Sequence, residues 1–418
     1  MQPLLHDNQI KRFCLYGFLK NQTYFEPFLI LLFIDNGFSF LQIGFLIGFK
    51  SICVNLFEIP AGALTDLWSK KRSLILSMLA YVFAFVVFSF SKDFITFFFA
   101  MFFFSIGEVF RSGTHKSMIF SYLKKNGISN KKTEVYGLTR SFSKIGSAIS
   151  VVLSCIVVLS TDNYSWTFKV AIIPYFLNII NISFYPESNR KKIKHIRFMD
   201  IFRKLFSSTR EIIFNLKQQT LLLENLLFEG YYSVSKEYLQ PIIKLSIISY
   251  FVINEASDKS FIAIVVCSLY FFMNLLSAIA SKESHNFSKR FISTDAYITT
   301  VLIVSFIVYA IASLLIFSDT PHSILFAAIS IVVLTVAVNL WKPVFLSEFY
   351  DSVNEESATT SLSILNQGRS LIVALLSPLL GAIIDSNINS SNPFLPVYIC
   401  GTITILMTII NKKRQSVG

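Results

Sequence analysis

Charge is scarce in this sequence. Only 15% of its 418 residues are Asp, Glu, Lys or Arg, whereas 53% are hydrophobic and 44 are phenylalanine. One soluble core cannot hide that much apolar surface, so a water-soluble globular domain is excluded and the excess is assigned to lipid. Cysteine is sparse as well. Cys14, Cys53, Cys155, Cys267 and Cys400 stand singly inside apolar runs. With no CxxC pair and no metal-ligand spacing, they make neither a disulfide framework nor a zinc site, and they read as small buried hydrophobes. The sequence also lacks a phosphate-cradling glycine loop, an H-E-x-x-H pair, a nucleophile elbow and a dense carboxylate cluster. ATP-driven pumping and membrane enzymology therefore have no residues to work with. Acids are outnumbered, 25 against 37 Lys and Arg, for a formal charge of +12. The cations fall in short clusters between apolar runs instead of along one polar face, which excludes a nucleic-acid partner.

Long apolar runs are what the chain does have. Segments of about 20 residues with few charges match a hydrocarbon core of about 30 Å. They are predicted at 13–34, 39–61, 73–91, 94–115, 136–160 and 166–185, then at 219–250, 260–281, 295–317, 323–348, 359–384 and 394–411. The expected fold is thus an all-α membrane protein of twelve transmembrane helices in two six-helix bundles. The bundles are expected over 1–188 and 219–418, joined by a basic cytoplasmic linker over 189–218. The first apolar run lacks a small-residue cleavage site and contains Lys20 and Glu26, so it is expected to be a spanning helix and not a removed signal peptide.

Charge alternation supports the count, because a wrong number of helices would scramble it. Basic clusters occur at Lys11 and Arg12, Lys70 to Arg72, Lys124 with Lys125, Lys131 with Lys132, the linker, Lys282 with Lys289 and Arg290, and Lys412 to Arg414. Alternate loops carry Asp35, Asp93, Asp162, Glu255, Asp319 and Asp385. Both termini are therefore expected in the cytoplasm. A weak internal repeat accompanies the pattern: Tyr24-Phe25-Glu26-Pro27 against Tyr238-Leu239-Gln240-Pro241, and Arg140-Ser141 against Arg369-Ser370. Related halves are how many transporter folds are built.

The most informative stretch runs from Glu58 to Arg72, at the end of helix 2 and the turn into helix 3. A glycine there lets helix backbones approach, Asp66 can cap or pair at a helix end, and a basic triplet holds the turn on an anionic membrane face. In Gly62, Leu64, Asp66, Lys70 and Lys71 the chain resembles the major facilitator superfamily, whose loop here reads G-x-L-x-D-R-x-G-R-K; Leu67 and Ser69 depart from that pattern. Glu58 and Pro60 extend the match toward a branch of drug exporters with E-x-P-x5-D-x3-K-K. The resemblance implies that Glu58, Pro60, Gly62, Asp66, Lys70 and Lys71 form a loop that gates conformational change, with Asp66 in a charge network that locks one state. The competing reading is plain topology with an incidental acid.

Ionisable groups at membrane depth are costly and are functional candidates by default. Glu108 and Arg111 lie three apart on one helical face and can pair; the Arg followed by Gly resembles a helix-4 arginine pattern used in proton coupling, which would assign both residues to that role. The alternative is a purely structural salt bridge. Glu26, expected deep in helix 1 beside Pro27, is the first choice as proton carrier. Glu229, Lys236 and Glu237 fall two turns apart on one face and are expected to look into a shared cavity, or else into water at the outer mouth. Arg140, with Lys144 one turn on, and Arg369 would draw an anionic cargo, pair with acids or snorkel to the interface. Tyr24 and Gln240, beside the helix-1 and helix-7 prolines, complete the expected substrate cavity. Lys342-Pro343 reads as a kink with a snorkelled base, and the phenylalanine runs 97–99 and 102–104 as lipid-facing and packing residues.

Together these residues and the resemblance predict a secondary transporter with no cofactor and no metal, driven by a proton or other ion gradient. It is expected as a monomer in a bacterial plasma (inner) membrane, exporting a small amphipathic compound such as an antibiotic, a peptide-like toxin or a siderophore. Helix 5 lacks the Gly-Pro-rich pattern of typical antiporters, which argues against export. The alternative is a nutrient or siderophore importer. A non-transporting receptor has no use for Glu26.

Overall fold

The structure is a computed structural model that describes residues 7–128, 131–186, 215–251, 259–318, 323–353, 358–388, 390 and 392–417. Every regular element among them is helical. Among the described residues, ten helices are long and apolar enough to cross a membrane. Their outward faces are apolar as well, with Leu56, Phe99, Ile173 and Leu375 all exposed. The protein is a multi-pass membrane protein.

The predicted first and seventh spans are not among the ten, because each is broken. Helix α1 (Asn8–Lys20) opens on Asp7, whose carboxylate accepts the Gln9 amide at 2.7 Å, and closes at Asn21, whose side-chain amide donates to the Gly17 carbonyl at 2.6 Å. Pro27 has no amide hydrogen to carry the helix through. The chain instead passes through a 3-10 turn, Glu26–Phe28, into α2 (Leu29–Asp35). The seventh span runs as α9 (Leu216–Glu224), a turn of π-helix (Asn225–Gly230), α10 (Tyr231–Glu237) and, past Tyr238, α11 (Leu239–Phe251). A further break divides the predicted fourth span at Ser112 and Gly113, between α5 (Phe94–Arg111) and α6 (Thr114–Lys125). Gly113 takes φ +69°, a left-handed conformation that favours glycine.

The remaining helices are α3 (Phe40–Leu67), α4 (Lys70–Phe90), α7 (Lys132–Thr161), α8 (Ser165–Ser183), α12 (Lys259–Ser288), α13 (Thr294–Phe317), α14 (Ser323–Ser352), α15 (Ala358–Ser386) and α16 (Leu395–Val417). The chain divides into two compact units, Met1–Asn36 with Phe49–Ile196, and Gly37–Gly48 with Arg197–Gly418. The predicted basic linker lies outside the described residues as far as residue 214.

In the first unit, α4 packs between α5 and α8, and α1 lies along α7. The α1–α7 contact needs glycine. A Cβ on Gly17 would stand 2.6 Å from Ser143 Oγ and 2.9 Å from the Thr139 carbonyl, and one on Gly146 would stand 2.6 Å from the Phe18 carbonyl. Close approach of this kind substitutes for the hydrophobic drive that lipid removes between helices. Phe25, Phe85, Phe168 and Tyr175 interlock around α4, with Phe25 and Phe168 stacked at 5.0 Å. Of the phenylalanine runs, Phe97 is fully buried and Phe99 is exposed, so the two roles expected of them divide by helix face.

The second unit takes in the first turns of α3, which a division by chain position does not anticipate. Asp385, at the end of α15, accepts the Phe40 and Leu41 amides at 2.8 and 2.7 Å and so caps α3 from a distant helix. Gly48 lies so close to α15 that a Cβ there would stand 2.7 Å from the Ala374 carbonyl.

Candidate functional site

Three elements of the first unit enclose a cavity of about 430 Å³: the end of α1, the α5–α6 junction and the middle of α7. The break at Gly113 separates the two helices there, and Arg111 at the end of α5 and Lys116 in the first turn of α6 both line the cavity. Lys20 enters from α1, and Arg140 and Lys144 from successive turns of α7. Every charged side chain lining the cavity is thus cationic, and no acid lines it among the described residues.

The cavity wall is ordered by aromatic and polar contacts. The rings of Tyr16 and His115 stack at 3.8 Å with 17° between planes, and Tyr185 Oη sits 3.4 Å from His115 Nε2. Lys116 Nζ lies 5.3 Å from the centre of the Tyr136 ring. Tyr16 is 3% exposed, and its hydroxyl has no hydrogen-bond partner. A buried hydroxyl without a partner costs free energy.

Glu108 and Arg111 pair as their spacing predicts, with Nη2 to Oε1 at 2.6 Å, and Arg111 Nε also donates to Tyr81 Oη at 3.3 Å. The expectation for Glu26 is corrected. It stands exposed at the start of the 3-10 turn, where Thr23 Oγ1 donates to it at 3.1 Å, because Pro27 interrupts the helix that would have carried it into protein. It remains within electrostatic range of Lys20, as Glu108 does. Tyr24 is buried in the same break and does not line the cavity.

The loop between α3 and α4 is held by its two lysines. Lys70 donates to Ser117 and Ser121 of α6, and Lys71 to the Tyr185 carbonyl at 2.9 Å. Ser112 Oγ donates to Glu58 at 3.3 Å, and Ala61 packs on Val109 and Phe110, seating the end of α3 against α5; Pro60 lies within this helix. Gly62 is corrected: nothing lies within 4 Å of a Cβ added there, so it serves no close helix approach at that position. The side chain of Asp66 lies outside the described residues.

In the second unit the buried acids make their own network. Glu229, 5% exposed, pairs with Lys342 of α14 and with Arg369 of α15, the latter at 2.7 Å, and accepts from Asn225 at 3.1 Å. Lys342 is therefore a partner of Glu229 and not a snorkelled base. Glu224 lies one turn earlier, accepting from Trp341 Nε1 at 2.8 Å and pairing with Lys412 at 3.3 Å. Glu229 lies near the end of the π-turn and is buried, while Lys236 and Glu237 are half-buried at the end of α10. Gln240 is buried, and its amide donates to Tyr270 Oη at 3.0 Å. Sequence reasoning did not find Glu224, Lys412, Tyr16, His115 or Lys116. Lys20 and Lys342 carried a signal, each a lone cation in an apolar run, but no partner could be named for them. Among the described residues no group of His, Cys, Asp and Glu could hold a metal, and all five cysteines are free.

Comparison with known proteins matches the Major Facilitator Superfamily family model over residues 19–377. No curated protein sequence matches the chain. Among solved structures, a crystal structure of the nucleoside transporter NupG superposes with a TM-score of 0.74 at 13% identity, covering 98% of each chain. A bacterial homolog of the human lysosomal transporter Spinster, in an inward-facing and unoccupied conformation, gives 0.65 at 16% identity over 96% of this chain and 93% of that one. A D-xylose-proton symporter gives 0.65 at 12% identity, covering 96% of each. At such identities the likeness is one of fold.

Proposed function

The chain belongs to the major facilitator superfamily, and on that premise we propose that it is a proton-coupled secondary transporter of a small polar solute. The reading joins α1 with α2, and α9 with α10 and α11, as single broken crossings, for twelve in all. Transport then proceeds by alternating access. The protein works as a monomer in a bacterial plasma membrane without a cofactor, and both of its termini are cytoplasmic.

The observation that carries this reading is a hydrophilic, charge-lined cavity with an ion pair in its wall. Arg111 lines the cavity while bonded to Glu108, so protonating Glu108 frees the guanidinium for a solute. Protonation of Glu108 then favours solute binding and solute binding favours protonation, the reciprocal linkage that symport requires. The same cavity argues against the amphipathic cargo expected from the sequence, because its lining is polar. The nucleoside and D-xylose-proton carriers among the structural neighbours are compatible with uptake of a polar nutrient. Export is the second reading, and it rests on the resemblance of the loop from Glu58 to Lys71 to that of drug exporters.

The test is reconstitution into liposomes containing a pH-sensitive dye, with pools of sugars, nucleosides, amino acids and organic acids added outside. A solute pool that drives protons inward in the wild type, and does so at least tenfold more slowly with Glu108→Gln, supports the reading. Solute flux without proton movement, or equal proton flux in the variant, rejects the coupling. Efflux-only behaviour in inside-out vesicles returns the export reading to first place.

A further inference from the structure

The cavity of the first unit has a charge that transport of a polar solute does not by itself require. Arg140 and Lys144 are like charges four apart on α7, an arrangement that destabilises a helix left to itself. Neither forms an ion pair among the described residues. Here they converge on one concavity with Lys20 and Arg111, arriving from three separate elements. Arg111 alone has a carboxylate partner. Glu26 and Glu108 lie within range of Lys20, but neither lines the cavity. The enclosed surface therefore keeps an excess of positive charge beside the buried Tyr16 hydroxyl that has no partner.

We propose that the solute is a small organic anion, bearing a phosphate or carboxylate group that Arg140 and Lys144 hold with help from Lys20 and the Tyr16 hydroxyl; the identification rests on the transport reading above. A guanidinium fork and nearby ammonium groups supply charge-assisted donors in the number an oxyanion accepts. Tyr16 contributes the neutral donor. The volume of about 430 Å³ lies in the range of small-molecule sites. Glu108 fits this account. With its proton absent it occupies Arg111, and with its proton present it leaves Arg111 to the anion, so a proton accompanies the negative charge inward and offsets it.

The experiment uses the full chain purified in nanodiscs of a zwitterionic lipid, with thermal melting as the binding readout. The probes are matched pairs: glucose 6-phosphate against glucose, succinate against succinamide, and inorganic phosphate. The variants are the wild type, Arg140→Gln with Lys144→Gln, and Tyr16→Phe, each checked by size-exclusion profile and helical circular dichroism. The expected result is that at least one charged probe raises the melting temperature while its neutral counterpart does not. Its affinity should fall tenfold or more in the double variant and severalfold in Tyr16→Phe. Equal response to charged and neutral probes, no response to any charged probe, or unchanged affinity in the double variant overturns the proposal. Stabilisation by nanodiscs containing phosphatidylglycerol but by no soluble anion also overturns it, and assigns the site to a lipid headgroup. A flux assay in liposomes separates the two readings. Binding of a charged probe without flux under any imposed gradient rejects transport and keeps the anion site. Flux of neutral solutes that ignores the double variant rejects the anion and keeps transport.

Discussion

Arg111 Nη2 lies 2.6 Å from Glu108 Oε1, one helical turn away at the end of α5, and the same guanidinium lines the basic cavity. In the proposed mechanism this contact joins the acid that takes the proton to the site that takes the solute. The pair is partly exposed, and this moderates its contribution to stability. In a double-mutant cycle of Glu108→Gln and Arg111→Gln, the coupling read from thermal melting should be on the order of 1 kcal/mol. Loss of transport in either single variant should greatly exceed the loss of stability. A coupling near zero would mean that the two side chains act independently.

Glu229 holds two cations at once, and removing it should be costly. Glu229→Gln leaves Lys342 and Arg369 facing each other without their acid, and should destabilise the protein by about 3 kcal/mol. Adding Lys342→Gln should recover part of that loss, because one of the uncompensated charges is removed with it. Chemical denaturation of the single and double variants in detergent measures both steps; a double variant no more stable than Glu229→Gln would contradict the network.

The glycines make a contrasting pair. Gly17→Val drives a side chain into Ser143 and the Thr139 carbonyl and should cost about 1–3 kcal/mol through overpacking. Gly62→Ala meets nothing within 4 Å and should be neutral or stabilising by up to about 1 kcal/mol, since alanine is the better helix former. Melting curves of the two variants would reveal whether the α1–α7 crossing and the motif loop are packed as described.

Asp385 caps α3 by accepting two of its first amides. Asp385→Ala should cost about 1 kcal/mol, within the range of lost N-caps, and Asp385→Asn should cost less. Hydrogen exchange should quicken at Phe40 and Leu41 in the alanine variant while the middle of α3 stays protected. Unchanged exchange at those two amides would show that the cap does not hold the helix start.

The legible part of the fold was whatever a single helix encodes. Apolar runs of spanning length, the basic clusters and the Glu108–Arg111 pair all follow from spacing along one segment. Glu26 was misplaced because Pro27, visible in the sequence, could be read either as a kink within a continuing helix or as a full stop. Lys342 was misread because its partner, Glu229, lies more than a hundred residues away, and nothing local distinguishes a paired cation from a snorkelling one. Tyr16, His115 and Lys116 gave no signal at all. Each is an ordinary residue for its segment until the turn at Gly113 brings α6 beside α1.

The amino-acid sequence by itself determined that this is a helical membrane protein, because hydropathy and charge alternation are local quantities. Only the tertiary structure decided which distant charges meet and which cations line a cavity. Those outcomes depend on where helices break and how closely they cross. One residue more or less in a turn rotates every later side chain by about 100°, and a glycine such as Gly17 sets the distance at which a neighbouring helix can lie.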